Sequence, residues 1–355
     1  MNRSQLSVND SYIWIHGWGA SEQLWHHAAK ALPDAAHHYV SFRDCDSSDE
    51  MAAEIMERVA TVAVNSQRCH LVGWSMGGML AIEAAAKWLR EAGSGMRSEE
   101  EVRPCDAGSG TGSGEGLELR GEESSIRSGE GIRLCGEENG IRNGESKELH
   151  KAGSGEDMRL REVISNARSR GNVRLRQPNE ELLASLVLVG STLRFVAPTS
   201  TEGWPLRVLQ RMRQRLAAAP EQTLREFAVR LLAPAEWQQH EPLEATLIER
   251  FQQPGFTPAG LDAGLAYLAS ANLTDAWAQL CAAQLPVLWL HGEQDPLVPI
   301  GAQAEARRLA GPNARSVEYR RLTGQGHVPF LTHPREWDEE VSRWHEQFQL
   351  QQVTP

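Results

Sequence analysis

The sequence is short of cysteine, and its five cysteines are poorly placed for bridging. Cys45, Cys69, Cys105, Cys135 and Cys281 are odd in number, widely spaced and in no C-x-x-C arrangement. That pattern excludes a disulfide framework and predicts reduced thiols in a cytoplasmic protein. No segment approaches the roughly 20 apolar residues that a membrane helix needs. The opening "MNRSQLSVNDSYIWIHGWGA" has no long apolar run, so no secretory signal is expected from it. Positive charge is in deficit: the formal net charge is -11, which argues against a nucleic-acid surface but leaves room for a local basic patch. Phosphate-loop and dinucleotide fingerprints are both missing. The adjacent pairs His26-His27 and His37-His38, read as helical, point apart, and no H-E-x-x-H or carboxylate set accompanies them. Neither a metal nor an organic cofactor is therefore expected.

What is present is enough apolar residue, 41%, for a sizeable core. In the first region, residues 1–90, "YIWIH" and "HLVGW" read as strands, while "LWHHAAKAL" and "DEMAAEIMERVATVA" read as helices. Residues 91–180 change character, being rich in Gly, Ser, Glu and Arg with few aliphatics. Fragments such as "SGEGLELRGEESSIR" and "SGEGIRLCGEENGIR" look like degenerate copies of one unit. Such a stretch cannot bury enough apolar surface to fold and reads as a low-complexity, disordered insert. Order is expected to return in a core strand at 181–192, "LLASLVLVGS", followed by a helical segment at 193–270 with Pro198, Pro205, Pro220 and Pro234 as breakers. The last region, 271–355, alternates "PVLWLHG" (strand), "GAQAEARRLA" (helix), "SVEYRRL" (strand) and "PREWDEEVSRWHEQFQ" (helix). This alternation predicts an α/β fold with a mostly parallel sheet covered by helices on both faces.

Within that frame, Gly73-Trp74-Ser75-Met76-Gly77 has the form G-x-S-x-G between a strand and the helical "GGMLAIEAAAKWL". A strand that turns abruptly into a helix lifts its serine hydroxyl above the sheet, and small flanking residues let it do so. A serine hydroxyl needs a base to take its proton and a third group to orient that base. "LWLHGEQDPLVP" puts Asp295 just beyond one strand, and "RRLTGQGHVPF" puts His327 in a glycine-flanked loop beyond the next. Singly, each is as well read as a turn residue; together they follow the order nucleophile, acid, histidine. "IHGWG" after the first strand offers the Trp18 N–H as partner to that of Met76 for holding a developing oxyanion. The Trp18 ring either walls a substrate pocket or caps the core.

At these residues the chain resembles the α/β-hydrolase superfamily, and within it the pimeloyl-[acyl-carrier protein] methyl ester esterases of biotin synthesis. The resemblance rests on "HGWG", "GWSMGG", "HGEQDPLVP", "GHVPFLTHP" and "AGLDAGLAYLASANLTDAW", and it covers most of the chain except the insert. It implies a serine carboxylesterase with a small helical lid, in which Ser75 is the nucleophile, His327 the base and Asp295 its orienter. It also implies substrate contacts at Trp18, Met76, Met212 and Leu216, and an acyl ester carried on an acidic carrier protein. "PLRVLQRMRQRLAAAPEQTLREFAVRLL" is rich in arginine while the whole protein is acidic. Arg207, Arg211, Arg215, Arg225 and Arg230 therefore form a candidate patch for that partner, an ordinary solvated helix face being the other reading. A monomer is expected. The stretch ahead of the first strand is shorter than the family's leading hairpin, "CDSSDE" replaces its glycine-rich turn, and the insert follows the nucleophile helix. Other activities share the same fold and triad, among them short-chain ester hydrolysis, C–C hydrolysis and the lyase step of menaquinone synthesis, as does a non-catalytic binding protein.

Overall fold

Four strands in this chain are buried along their whole length, which dictates a sheet covered on both faces. The computed structural model describes residues 10–66, 68–100 and 182–351, apart from 198, 200, 240, 252, 254 and 313. Six strands form one sheet: β1 (Asp10–Ile15), β2 (Ala36–Tyr39), β3 (Arg68–Trp74), β4 (Leu183–Val189), β5 (Val287–Gly292) and β6 (Val317–Leu322). Their order is β2-β1-β3-β4-β5-β6 and every pairing is parallel. The expected "mostly parallel" sheet is thus wholly parallel among the described residues. Side-chain alternation divides the core in two. Ile13, Ile15, Leu71, Leu186, Leu188 and Trp289 face one layer, whereas Tyr12, Trp14, Val72, Val187, Val189 and Leu290 face the other.

The long helices are α1 (Ser48–Asn65) and α2 (Met76–Glu100) before the insert, and α8 (Thr274–Ala282), α9 (Gly301–Ala310) and α10 (Pro334–Gln351) towards the end. Between β4 and α8 lie α3 (Leu206–Ala218), α4 (Pro220–Val229), α5 (Pro234–Gln239), α6 (Glu241–Phe251) and α7 (Pro258–Ser270). Local chemistry sets their starts. Ser47 caps α1 by accepting the Glu50 N–H at 3.2 Å, while Glu50 reaches back to the Asp46 N–H at 2.6 Å. Pro205 precedes α3, and Pro220 and Pro234 are the first residues of α4 and α5. These prolines start helices, where the missing N–H costs nothing, as well as breaking those before. Pro198 lies outside the described residues.

Three expectations change. α2 runs to Glu100, ten residues past the boundary at 90, because the Ala- and Leu-rich pattern of its first half carries the helix onward. His37 and His38 lie on strand β2, not on a helix; they still point apart, since strand side chains alternate faces. The "LWHHAAKAL" helix is broken into short turns, with only Trp25–Ala28 as α-helix. The repeat reading of the insert lies outside the described residues from 101 to 181.

The sheet order matters for function. The chain goes from β1 to one side for β2, then to the other for β3, so a crevice opens between the carboxyl ends of β1 and β3. "HGWG" follows β1 and Ser75 follows β3.

Candidate active site

Ser75 occupies a left-handed backbone conformation, with φ at +55°, which a non-glycine residue adopts only where its surroundings enforce it. The enforcing contacts are visible. The Ser75 N–H donates to the Val189 carbonyl at 2.9 Å, while its own carbonyl accepts from Gly78, Met79 and the Ser191 hydroxyl at 3.0–3.2 Å. The helix start is pressed onto the end of β1 so closely that a side chain at Gly77 would collide with the carbonyls of Ile15 and His16. Ser75 is 8% exposed, buried yet reachable.

Asp295 and His327 meet as their positions after β5 and β6 require. The His327 Nδ1–H donates to Asp295 Oδ2 at 2.6 Å. The other carboxylate oxygen accepts the Leu297 and Val298 N–H groups at 2.9 and 2.8 Å, so the aspartate is fully engaged and its direction fixed. Two further neighbours, Leu231 and Trp74, hold the histidine backbone and ring. Its N–H donates to the Leu231 carbonyl at 2.9 Å and its carbonyl accepts from the Trp74 indole at 2.8 Å. The Trp74 ring lies 5.3 Å from the imidazole, centre to centre. What remains is Nε2, which is buried and has no hydrogen-bond partner. No hydrogen bond joins it to the Ser75 hydroxyl in this structure. Such bonds commonly tighten only when substrate is bound.

Two residues absent from the sequence reading complete the frame. Gly190, at the end of β4, has φ at +51°, and a Cβ there would stand 3.0 Å from His327 Nδ1 and 3.2 Å from Asp295 Oδ2. A glycine just past a buried strand was its only signal. His291 is fully buried 3.8 Å from Asp295, and its Nε2–H donates to the Val298 carbonyl at 2.8 Å. Burial holds the His291 imidazole below its ordinary pKa, so it stays neutral and braces the turn that feeds Asp295.

The turn after β1 supplies the other wall. His16 is buried between Phe42 and Phe256, and its Nδ1–H donates to the Gly17 carbonyl at 3.1 Å. The same carbonyl accepts the Ala20 N–H at 3.3 Å. Because the peptide is planar and trans, pinning the Gly17 carbonyl turns the Trp18 N–H to the opposite side. Burial lowers the pKa of His16 to about 4, keeping it uncharged there. A Cβ at Gly17 would be 3.1 Å from Ser75 Cβ, which shows how near this turn lies to the serine. Trp18 is buried, with its indole donating to the Leu261 carbonyl at 2.8 Å. Gly264 of α7 packs on both expected oxyanion residues: a Cβ there would stand 2.7 Å from Trp18 Cδ1 and 3.2 Å from Met76 Sδ.

An open cleft of about 890 Å³ lies among α3, α4 and α7. Phe195, Trp204, Met212, Phe227, Leu265 and Leu297 give it apolar walls, and Arg211, Arg215 and Arg230 also line it. Ser75 itself is not in its wall. The cleft adjoins the site through Leu297, which bonds Asp295, and through Phe227, whose ring meets Trp18 edge-on at 4.8 Å. Of the expected substrate contacts, Met212 lines this cleft, while Leu216 is buried in the core and does not. All five expected arginines are exposed, but Arg207 and Arg225 lie outside the cleft. Arg215 pairs with Glu226 at 2.9 Å; the other four form no ion pair among the described residues. No group of three or more His, Cys, Asp or Glu among the described residues could hold a metal ion, and no described helix is long and apolar enough to cross a membrane.

Comparison with known proteins agrees with this architecture. A model of the alpha/beta hydrolase fold family matches residues 175–334. A pimeloyl-[acyl-carrier protein] methyl ester esterase of Aeromonas salmonicida is 24% identical over 340 residues, covering 93% of this chain and 92% of that protein. Its counterpart in Nitrosomonas europaea is 33% identical over 171 residues, covering 46% and 63%. Among solved structures, an esterase from Exiguobacterium antarcticum gives a TM-score of 0.57 at 14% identity, covering 95% of this chain and 91% of that one. MenH from S. aureus gives 0.55 at 12% identity, covering 98% and 97%.

Proposed function

We propose that this chain, which belongs to the α/β-hydrolase superfamily, is a serine carboxylesterase with Ser75, His327 and Asp295 as its catalytic triad. The observation that carries the reading is His327: one ring nitrogen is locked to a fully engaged aspartate, the other is buried and bare, and the ring packs on Trp74, the residue before the strained Ser75. In this reading Nε2 takes the Ser75 proton as Oγ attacks the ester carbonyl, and the Trp18 and Met76 N–H groups hold the resulting oxyanion. His327 then protonates the departing alcohol. Water, deprotonated in turn by His327, releases the acid and restores Ser75. No cofactor is needed for any step.

For the substrate we infer a pimeloyl-type methyl ester carried on an acidic acyl-carrier protein, as the names of the Aeromonas and Nitrosomonas relatives indicate for those proteins. Two features of this chain support it. The cleft is apolar enough for an acyl chain, with Met212 in its wall. Arg207, Arg211, Arg225 and Arg230 are exposed without ion-pair partners among the described residues, on a protein of net charge -11, a local reversal of sign that would steer an acidic partner. A cytoplasmic setting and a role in biotin synthesis follow from that substrate.

The test is hydrolysis of pimeloyl-[acyl-carrier protein] methyl ester against free p-nitrophenyl butyrate, with Ser75→Ala as control. The expected result is faster turnover of the carrier-bound ester, fluorophosphonate labelling at Ser75, and loss of about 10⁴- to 10⁶-fold in kcat in the variant. Undiminished turnover by Ser75→Ala would sink the triad. Equal kcat/KM on both esters would leave a general esterase and sink the carrier-bound substrate.

A further inference from the structure

Glu236 is a carboxylate 1% exposed, far from Ser75 in sequence and given no part in the chemistry above. It is the third residue of α5, and one oxygen, Oε2, reaches back to accept the Ala233 N–H at 2.7 Å, as a residue there does when it caps its own helix. The other oxygen does something a cap does not need. Oε1 accepts the N–H of Gly326 at 3.1 Å, ninety positions on in the chain and immediately before His327. Three residues before the helix, the Leu231 carbonyl accepts the N–H of His327 itself. The segment 231–236 therefore fastens two consecutive amides of the histidine loop, 326 and 327.

The two segments are packed closely at Gly326. A Cβ at Gly326 would run into the Glu236 carboxylate and stand 2.7 Å from the Ala233 nitrogen. Among the described residues, the titratable neighbour at ion-pair distance from the carboxylate is His333, whose Nδ1 stands 3.4 Å from Oε1 and also bonds the Thr332 hydroxyl at 2.9 Å. Gln325, on the other side of Gly326, is bonded to Glu336 of α10. A buried carboxylate costs stability unless it is hydrogen-bonded, and here its bonds are directed at the backbone that carries the general base.

We propose that Glu236 is a positioning residue: it holds the Gly326 amide so that the His327 ring stays on Asp295 with Nε2 aimed at the serine. This rests on His327 being the base of the reaction. Loss of the bond would let the loop relax, and a displacement of about 1 Å at a catalytic group can cost about 100-fold in rate. The effect would fall on kcat, because Glu236 does not line the cleft and should leave substrate affinity alone.

The experiment uses the full chain and p-nitrophenyl butyrate, with Glu236→Ala, Glu236→Gln and Glu236→Asp beside Ser75→Ala and His327→Ala. Folded fraction is read by circular dichroism, and the low-field proton resonance of His327 Nδ1–H by NMR. Expected for Glu236→Ala is a fall in kcat per folded molecule of about 10- to 100-fold, KM within about twofold, and a broadened or lost His327 resonance. Glu236→Gln keeps a carbonyl oxygen for the Gly326 N–H and should retain kcat within about threefold, even where the α5 cap weakens. Should Glu236→Ala fail to fold, Glu236→Asp replaces it: it can still cap α5 but falls one methylene short of Gly326, so it should be stable and slow. Wild-type kcat and resonance in the folded Ala or Asp variant, or equal impairment of Gln and Ala, overturns the proposal while the inactive Ser75→Ala and His327→Ala leave the triad standing. Full activity in His327→Ala overturns the triad and this role together.

Discussion

Two buried aspartate–histidine clusters sit at opposite ends of the same sheet, and they hold their aspartates by different means. At the amino end of the strands Asp10 binds Arg68 through both oxygens, at 2.6 and 2.9 Å. His70 stands 3.7 Å from the same carboxylate, shares a hydrogen bond with Ser185 at 2.7 Å and stacks on Tyr12. The Tyr12 hydroxyl pairs in turn with His345 of α10 at 2.6 Å. Burial alone would raise the Asp10 carboxyl, but hydrogen bonds from His70 and Arg68 outweigh it and hold the pKa below the ordinary value. The carboxyl-end cluster has no arginine. Asp295 is held by backbone N–H groups and by His327, whose far nitrogen is buried without a hydrogen-bond partner among the described residues. An aspartate neutralised by a guanidinium ties elements together; one held by amides keeps its charge available to orient an imidazole.

Substitution at the two aspartates separates these roles most sharply. Asp295→Asn should lower kcat by about 10⁴-fold, because the amide favours the wrong imidazole tautomer, with the fold retained; ester hydrolysis alongside circular dichroism checks both halves. Asp10→Asn should do the reverse. It strands the buried Arg68 charge and should cost about 3–5 kcal/mol in denaturant unfolding, while kcat per folded molecule stays within about twofold.

Acid should sharpen the contrast further. The folded pKa of His16 is about 4, below the ordinary 6.5, so the unfolded chain binds the extra proton between those values. Stability is therefore lost as pH falls from about 6.5 towards 4, by about 3 kcal/mol for this group. His70, His291 and His345, also held low by burial, add in the same direction. His16→Asn should make unfolding free energy less steep in pH across that window, and an unchanged slope would count against its neutral burial. The smallest effect is expected at Gly190→Ala. Its left-handed backbone should cost about 1–2 kcal/mol, and its new methyl, against His327 Nδ1, should lower kcat about tenfold.

Much of this was legible in the residues, for reasons that differ by site. Ser75, Asp295 and His327 could be placed because each ends a run of apolar residues that only a buried strand produces, and sheet topology then brings such ends together. The strands around them were legible for the same reason. Glu236, His291 and Gly190 were not, since their partners lie across elements whose packing no local pattern encodes. Strand β2 was missed as well: its four residues, Ala-His-His-Tyr, are half-buried or exposed at a sheet edge and carry no apolar alternation. The arginines were visible as a group, but which of them face the cleft depends on how α3 and α4 pack, and Leu216 was carried to the cleft by likeness when packing sends it to the core.

The length of α2 has a bearing on how such a chain can change over time. The helix starts at the serine turn and, at 25 residues, carries the chain roughly 36 Å from it. The helix ends at Glu100, and Leu182 stands ahead of β4, whose amino end is also the far end of the sheet from Ser75. Both points at which the intervening sequence attaches are thus set back from the serine turn, one by the length of α2 and the other by the length of β4. A change in chain length at either attachment point therefore leaves the backbone of the serine turn and its hydrogen bonds in place.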